Sequence, residues 1–383
     1  MSYPCENFGL FSDDMYLYSF SALDQYYGIE SSIVSYIATT ASLVDLAKNL
    51  DNISFPGRTD IDAVVNQGLE SCLFRSIESL NDLSLSSPAP LSFLYDLKRE
   101  SFIDRYTVYQ NLRSGSLGDD FVLTPDTLGG SPWRTLGEIA VLLSRYDFSV
   151  PKTDPAVLSM PDISDLCAEA ELLSADRQRE ILLLILTGRH QERGMKFLMD
   201  CGFIRTHWPQ LALLNQIDHS KEFHPEGNVW QHTLETFTYM KDGDILVALS
   251  LLLHDIGKPL AEESEGRRFD RHAQIGGREA KRFLRKLNFP QKTVEDVIFL
   301  VQNHMLPAFI PEIPNFRTEK VLSSTLFPQL LEVYRCDLSS TFQGPEGYYR
   351  ACKAYKKYLK NVKNPYRDVS GNKRLRKEFL YSG

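Results

Sequence analysis

This sequence predicts a mostly α-helical protein: a helical bundle entered through a helical neck, with a small α/β domain at its N-terminus. Three observations carry that reading. Past a Gly/Pro/Ser-rich joint at residues 117–132, apolar residues recur at three- and four-residue steps in segment after segment. Ahead of the joint, short alternating stretches suit strands instead. Between them in kind is Ile245–Leu253, an uncharged apolar run that ends abruptly in His254-Asp255-Ile256-Gly257-Lys258-Pro259. Such a run is a core helix, and a glycine in the left-handed conformation followed by proline is expected to stop it.

The totals set the bounds. A chain of 383 residues holds two or three domains, and 43% hydrophobic with 24% charged residues is ordinary for a globular protein. The first eighteen residues carry neither a basic region nor a long apolar stretch, so no signal peptide is expected. The longest apolar run is too short to span a bilayer. Cys5, Cys72, Cys167, Cys201, Cys336 and Cys352 form no CxxC pair, which suits a reducing compartment and disfavours a thiolate zinc site. A cytoplasmic protein without membrane contact is the expectation. The net charge of −8 is uneven: residues 350–383 carry eleven Lys/Arg against Asp368 and Glu378, so the tail is +9 and the remainder −17. An acidic body repels nucleic acid, whereas a basic tail attracts it.

Taken in order, residues 32–49 have a helical pattern, and residues 91–96 and 101–106 form a hairpin turning at 97–100. Asp60-Ile61-Asp62 would share one face of a strand and could hold Mg²⁺ for nucleotidyl transfer. That chemistry also needs a Gly-rich turn, for which Gly57-Arg58 is a poor substitute, so a solvated loop is the favoured reading. Helices are expected over 135–145, 162–173, 175–187 and 195–201, with Gly202 closing the last. Asn228 caps a helix running through residue 240, and Asp244 caps the central one. A charged loop, 262–271, leads to a helix over 272–287. Residues 293–305 and 328–339 give two more, separated by Pro307, Pro311 and Pro314.

Four of the eight histidines fall on successive helices or helix ends, and aspartates complete the series: His232, His254-Asp255, His272, His304 and Asp337. Each can project into one bundle, which is how metal sites inside bundles are built. His232, His254, Asp255 and Asp337 can hold one cation. His272 and His304 can hold a second, with Asp255 bridging.

This ordered set resembles the HD superfamily of metal-dependent phosphohydrolases, whose central signature Leu253-His254-Asp255-Ile256-Gly257-Lys258 matches closely. Residues 224–233, His224-Pro225-Glu226-Gly227-Asn228-Val229-Trp230-Gln231-His232-Thr233, are similar to the entry to the HD domain of bacterial tRNA nucleotidyltransferases and poly(A) polymerases. Residues 174–180, 196–204 and 208–210 resemble the neck and body of those enzymes. Ser131-Pro132-Trp133-Arg134-Thr135-Leu136-Gly137 looks like a worn copy of their nucleotide-reading helix: Arg134 remains, but Ser131 replaces an aspartate, and Gly137 and Ala140 replace arginines. The resemblance implies a degenerate nucleotidyltransferase-like head at 1–120, a neck at 121–215, an HD domain at 216–345, and a basic helix and tail at 346–383. It also implies an all-helical HD bundle.

The expected function is therefore metal-dependent hydrolysis of a nucleotide or RNA-end phosphoester. Two divalent cations (Mn, Fe, Co, Ni or Zn, with Mg as a further option) would activate a water. Asp255 and Lys258 are the expected catalytic residues, Lys258 neutralising phosphoryl oxygens. His224, Lys258 and Arg271 are the expected substrate contacts. Arg271-His272-Ala273 departs from the Gly-His-Glu of many relatives. Three alternatives stand beside this reading: an RNA-binding or regulatory protein whose metal is structural, a tRNA nucleotidyltransferase with a working head, and a di-iron oxygenase. Oligomeric state is left open. In the tail, Tyr348, Cys352, Tyr355, Leu359 and Val362 form a packing stripe, while Arg367 and residues 373–377 lie beyond that helix, where they are expected to be mobile.

Overall fold

A computed structural model describes residues 13–373, apart from 30–32, 84–87, 118–120, 129–130, 154–170, 219–226, 242, 262–268, 270, 342 and 365. The chain forms two compact units: residues 1–207 with 287–290, and residues 208–286 with 291–383. The protein is mostly helical, with a mixed sheet near the N-terminus. Among the described residues no helix is long and apolar enough to cross a membrane.

The first unit holds a seven-stranded sheet: β1 (Met15–Leu17), β2 (Val34–Thr39), β3 (Ile53–Ser54), β4 (Ala63–Gln67), β5 (Glu70–Ser76), β6 (Leu94–Asp96) and β7 (Ser101–Ile103). Its order is β3-β4-β5-β2-β1-β6-β7, and β2 runs parallel to β5 while the other pairings are antiparallel. The expected hairpin is present, with Leu94 opposite Ile103. The helical pattern expected over 32–49 divides in two. β2 is a strand buried at every residue, and only its C-terminal part is helix, α2 (Leu43–Asn49), which follows α1 (Phe20–Tyr27). A strand covered on both faces loses the alternation by which strands are recognised, so β2 reads as an ambiguous apolar run.

Neck helices α3 (Pro132–Arg145), α4 (Ala175–Leu186) and α5 (Gln191–Asp200) complete this unit. Most of the helix expected at 162–173 lies outside the described residues; Glu171–Leu173 are not helical. Gly137 and Gly194 are what let these helices meet closely. A Cβ on Gly137 would come within 2.5 Å of Ile181, and one on Gly194 within 2.6 Å of the Ala140 carbonyl. Sheet and neck are tied by buried ion pairs. Arg145 donates to Asp24 at 2.7 and 2.9 Å. Arg177 donates to Glu138 at 2.7 Å, to Glu180 at 3.0 Å and to the Tyr36 hydroxyl at 2.7 Å.

Asp60 and Asp62 do not pair on a strand face. Asp60 receives two hydrogen bonds from Arg58, at 3.0 and 2.9 Å, and Asp62 accepts the Ser76 backbone N–H at 2.8 Å. Burial opposes charge on Asp60, but Arg58 outweighs it and holds the carboxyl at about 2. Both carboxylates are committed to structural bonds rather than aimed at a shared cation.

The described residues of the second unit are built from helices, the main ones being α6 (Val229–Thr238), α7 (Ile245–Leu253), α8 (His272–Lys286), α9 (Gln291–Asn303), α10 (Phe327–Ser339) and α11 (Glu346–Val362), with shorter helices at Pro209–Ala212, Leu306–Phe309 and Asn315–Leu322. The Asn228 side chain caps α6 by accepting Gln231 N–H at 2.8 Å, and Asp244 caps α7 through Leu246 N–H at 2.8 Å. α7 buries Val247 through Leu253 without a break. At roughly 1.5–3 kcal/mol for each large apolar side chain, that burial alone holds the helix in the core. Leu300, Phe327, Leu330, Tyr334, Ala351 and Tyr358 form a second apolar cluster joining α9, α10 and α11.

Gly257 ends α7 by a different physical route from the one expected. Its φ is −85°, a conformation open to any residue. What demands glycine is proximity, because a Cβ there would lie 2.2 Å from the His272 carbonyl and 2.5 Å from Gly276 N. Gly277 plays the same part on α8, where a Cβ would fall 2.5 Å from Gln302. These contacts draw α8 against both the end of α7 and α9.

Candidate metal centre

The close approach at Gly257 and Gly277 brings together side chains that are far apart in sequence. His232 projects from α6, His254 and Asp255 follow the last turn of α7, His272 begins α8, His304 follows α9, and Asp337 sits on α10. His232, His254, Asp255 and His304 are buried, His272 is 12% exposed, and Asp337 retains 25%. The centre is thus closed except on the side of His272 and Asp337.

One local device orients three of the imidazoles. Nδ1 of His254 lies 2.7 Å from the Leu251 carbonyl, that of His272 2.9 Å from Phe269, and that of His304 2.8 Å from Val301. Each acceptor is three residues earlier in the chain. Nδ1 donates in each case, so Nε2 carries the lone pair that faces the centre. For His272 the turn is strained to do this: Phe269 and Arg271 have φ of +62° and +56°, a region non-glycine residues seldom occupy. His232 uses a side chain instead. Ser340 Oγ lies 3.2 Å from its Nδ1, and the Ser340 hydroxyl donates to the Asp337 carbonyl at 2.7 Å.

The Nε2 atoms then converge. Those of His272 and His304 are 3.3 Å apart. His232 Nε2 lies 3.0 Å from Asp337 Oδ1, and His254 Nε2 lies 3.2 Å from Asp255 Oδ2. Asp255 turns Oδ2 towards His254 and Oδ1 towards His272, at 3.7 Å. Two groups result whose ligand atoms all lie within 4.8 Å of one another: His232, His254 and Asp255, and Asp255, His272 and His304. Among the described residues these are the groups able to hold a metal ion, and Asp255 belongs to both.

The donor set fits divalent cations. Lone pairs aimed at one another, or at a carboxylate oxygen, repel unless a proton or a metal lies between them. Burial disfavours the proton: it holds His304 at about 4, with His254 adding to the effect, and it lowers His272 against the pull of Asp255. Two nitrogens 3.3 Å apart subtend roughly 100° at a cation about 2.1 Å from each, an ordinary ligand angle. The carboxylates stay ionised. Burial opposes charge on Asp255, but His254 and Lys258 hold it well below the usual range; His232 and His254 do the same for Asp337. Imidazole with carboxylate suits Mn, Fe, Co, Ni or Zn better than Mg, which prefers oxygen ligands.

Of the other residues expected here, Lys258 is at the centre, its Nζ 2.6 Å from Asp255 Oδ2 and 5.6 Å from the Phe269 ring centroid. Arg271 is exposed and immediately precedes His272. His224 lies outside the described residues, as does most of the 262–271 loop. Sequence reasoning passed over Ser340, Gly276 and Gly277, and read Gly257 as a left-handed helix stop only. Each left a trace: Ser340 stands three residues after Asp337, on the same helix face, and adjacent glycines inside an amphipathic helix mark a close contact.

Comparison with known proteins places this geometry in context. Residues 229–333 match the HD domain family. Over 149 residues the chain is 33% identical to the CC-adding tRNA nucleotidyltransferase of Thermus thermophilus, covering 37% of this chain and 34% of that protein. It is 24% identical over 255 residues to the multifunctional CCA protein of Pseudomonas savastanoi pv. phaseolicola, covering 65% and 62%. A solved structure of the Bacillus stearothermophilus CCA-adding enzyme in complex with CTP aligns over 91% of this chain and 79% of that one, at 14% identity and a TM-score of 0.49. The chain thus spans between about a third and three-fifths of the length of the curated relatives it matches.

Proposed function

We propose that this chain, which carries an HD domain and resembles tRNA nucleotidyltransferases, is a metal-dependent hydrolase of phosphoesters at an RNA end or in a nucleotide. The observation that carries the reading is the sharing of Asp255 between two overlapping three-residue ligand groups. His232, His254, Asp255 and Asp337 would hold one cation, and Asp255, His272 and His304 the second. When bound, the pair would acidify a water and polarise a phosphoryl group.

The chain's own residues supply orientation and charge. Ser340 and the carbonyls of Leu251, Phe269 and Val301 keep every Nδ1 protonated, so no imidazole turns away. Lys258, 11% exposed, is placed to neutralise charge developing on phosphoryl oxygens beside Asp255. Exposure at Asp337 and His272 gives the substrate its way in.

A second reading, nucleotide addition to tRNA, is favoured by the relatives' names. Against it, Asp60 is bound to Arg58, and Asp62 to the Ser76 backbone. A third reading keeps the metals as structural or regulatory groups. The deciding experiment supplies Mn²⁺, Co²⁺, Ni²⁺ or Zn²⁺ to the purified chain with cyclic nucleotides, mononucleotides and RNA bearing 2′,3′-cyclic or 3′-phosphate ends. Ring opening of the cyclic substrates, or phosphate release from the monoesters, that disappears in Asp255→Asn supports hydrolysis. Incorporation of CTP or ATP into tRNA without hydrolysis of any of these substrates would replace it by transfer, and neither activity would leave the structural reading.

A further inference from the structure

We propose that the exposed face of α11 and the turn after it form a binding track for single-stranded RNA. The proposal deepens the reading above, since it rests on the substrate's being an RNA end. The helix is two-sided. Ala351, Tyr358 and Asn361 are buried, and Tyr355 packs on Phe327 with ring centroids 4.3 Å apart. The opposite side carries Arg350, Lys353, Lys356, Lys357, Lys360 and Lys363, all exposed. At 100° per residue these six occupy one continuous arc. Glu346, in the first turn, is the helix's one acidic residue. Among the described residues no ion pair engages any of the six. Tyr349, 64% exposed, stands within the same arc.

The chain beyond the helix extends this surface as an ordered turn, contrary to the mobility expected for Arg367 and Lys373. Arg367 and Lys373 form an antiparallel bridge, and the Val369 carbonyl between them accepts from Asn315 at 2.9 Å and from Asn361 at 3.4 Å. Tyr366, 69% exposed, sits at the start of that turn. Residues 374–377 lie outside the described residues.

Unpaired cations interleaved with exposed tyrosines are the chemistry that takes phosphates along a strand and stacks its bases. A membrane-surface helix would offer a continuous apolar face, whereas here Ala351, Tyr355 and Tyr358 pack into the cluster around Phe327, and Leu359 and Val362 are the aliphatic side chains left exposed. The track also begins beside the metal centre. Gly347 passes so near Tyr334 that a Cβ would lie 2.6 Å from its hydroxyl, and Tyr334 is one turn before Asp337 on α10. From Arg350 to Lys363 the helix runs about 20 Å, enough for several consecutive phosphates.

The test measures affinity of the full chain for a fluorescent 12-nucleotide RNA of mixed sequence at several salt concentrations. Lys353→Glu/Lys357→Glu/Lys360→Glu is expected to weaken binding at least tenfold and to flatten the log–log salt slope by about 2, at about 0.7 per lost phosphate contact. The corresponding Lys→Arg triple should bind like the unaltered chain, and a Lys→Gln triple covers any failure of the Glu variant to fold. Metal content and turnover of bis(p-nitrophenyl) phosphate should not change in any of them. Unchanged RNA affinity and slope in both the Glu and Gln variants would overturn the proposal. So would loss of binding to phosphatidylserine vesicles with RNA binding intact, which would make the surface a membrane contact. Absence of turnover in the unaltered chain sinks the hydrolase reading alone, because RNA affinity is read separately.

Discussion

His272 and His304, thirty-two residues apart, place their Nε2 atoms 3.3 Å from one another while each Nδ1 is held by a carbonyl three residues earlier. Their shared orientation suits them to hold one cation together with Asp255, and the proposed function predicts a loss of metal when either is removed. His272→Ala and His304→Ala should each lower metal content from two ions per chain towards one. Elemental analysis after equilibration with saturating Mn²⁺ or Co²⁺ checks this. A single ion in the unaltered chain would instead favour a mononuclear centre with these histidines contacting substrate.

Asp255→Asn keeps the shape of the side chain but removes the charge shared by both groups. Loss of a direct ligand should exceed the 10–100-fold typical of outer-shell changes, so phosphoester turnover should fall by more than about 100-fold. The circular dichroism spectrum should be retained, because α7 is held by burial of Val247 through Leu253. Full activity with native metal content would remove Asp255 from the centre.

Ser340 acts through His232 and is a positioning residue. Ser340→Ala should weaken metal binding by about 10–100-fold, while Ser340→Thr restores it. Metal titration supplies the readout, and turnover at saturating metal should recover most of its original rate. A purely structural role would lower thermal stability and leave metal affinity where it was.

Gly257→Ala would place a methyl group 2.2 Å from the His272 carbonyl and 2.5 Å from Gly276 N. Both are backbone atoms, so relief requires α8 to move. The cost should be about 1–3 kcal/mol, seen as a lower Tm, with reduced metal content because His272 moves too. An unchanged Tm with full metal loading would show that the close approach is dispensable.

The Asp60–Arg58 pair makes a pH prediction outside the metal centre. Asp60 is held at about 2 against an ordinary 3.8, so the folded state binds its proton less readily than the unfolded state. That stability, on the order of 2 kcal/mol, is fully present above about pH 4 and disappears as the pH falls through 2. Asp60→Asn should be less stable than the unaltered chain at pH 7, and the gap should close between pH 4 and 2. Chemical denaturation at several pH values measures it, and a gap independent of pH would mean that the pair is not coupled to folding.

Much of the centre was legible because its signals are local. Asn228 and Asp244 announced two helix starts, the uncharged run of α7 announced a buried helix, and His254-Asp255 stood where that run stops. Local signals failed where neighbours in space decide. β2 lost its alternation because both of its faces are covered, and about a third of a predicted helix became a strand. Asp60 and Asp62 read as a solvated loop, and nothing along the chain showed that Arg58 and the Ser76 backbone would engage them. Arg367 and Lys373 read as mobile because the two asparagines that hold Val369 lie 54 and 8 residues away from it.

By itself, then, the sequence determined which residues have the chemistry of ligands and in what order they come, since residue chemistry and helix periodicity are written along the chain. Only the tertiary structure decided that Asp255 faces both groups, that Ser340 fixes His232, and that Gly257 is required for contact and not for φ. Each of these depends on distances of 2–4 Å between segments tens of residues apart, set by how helices pack, and no periodicity within one segment encodes them.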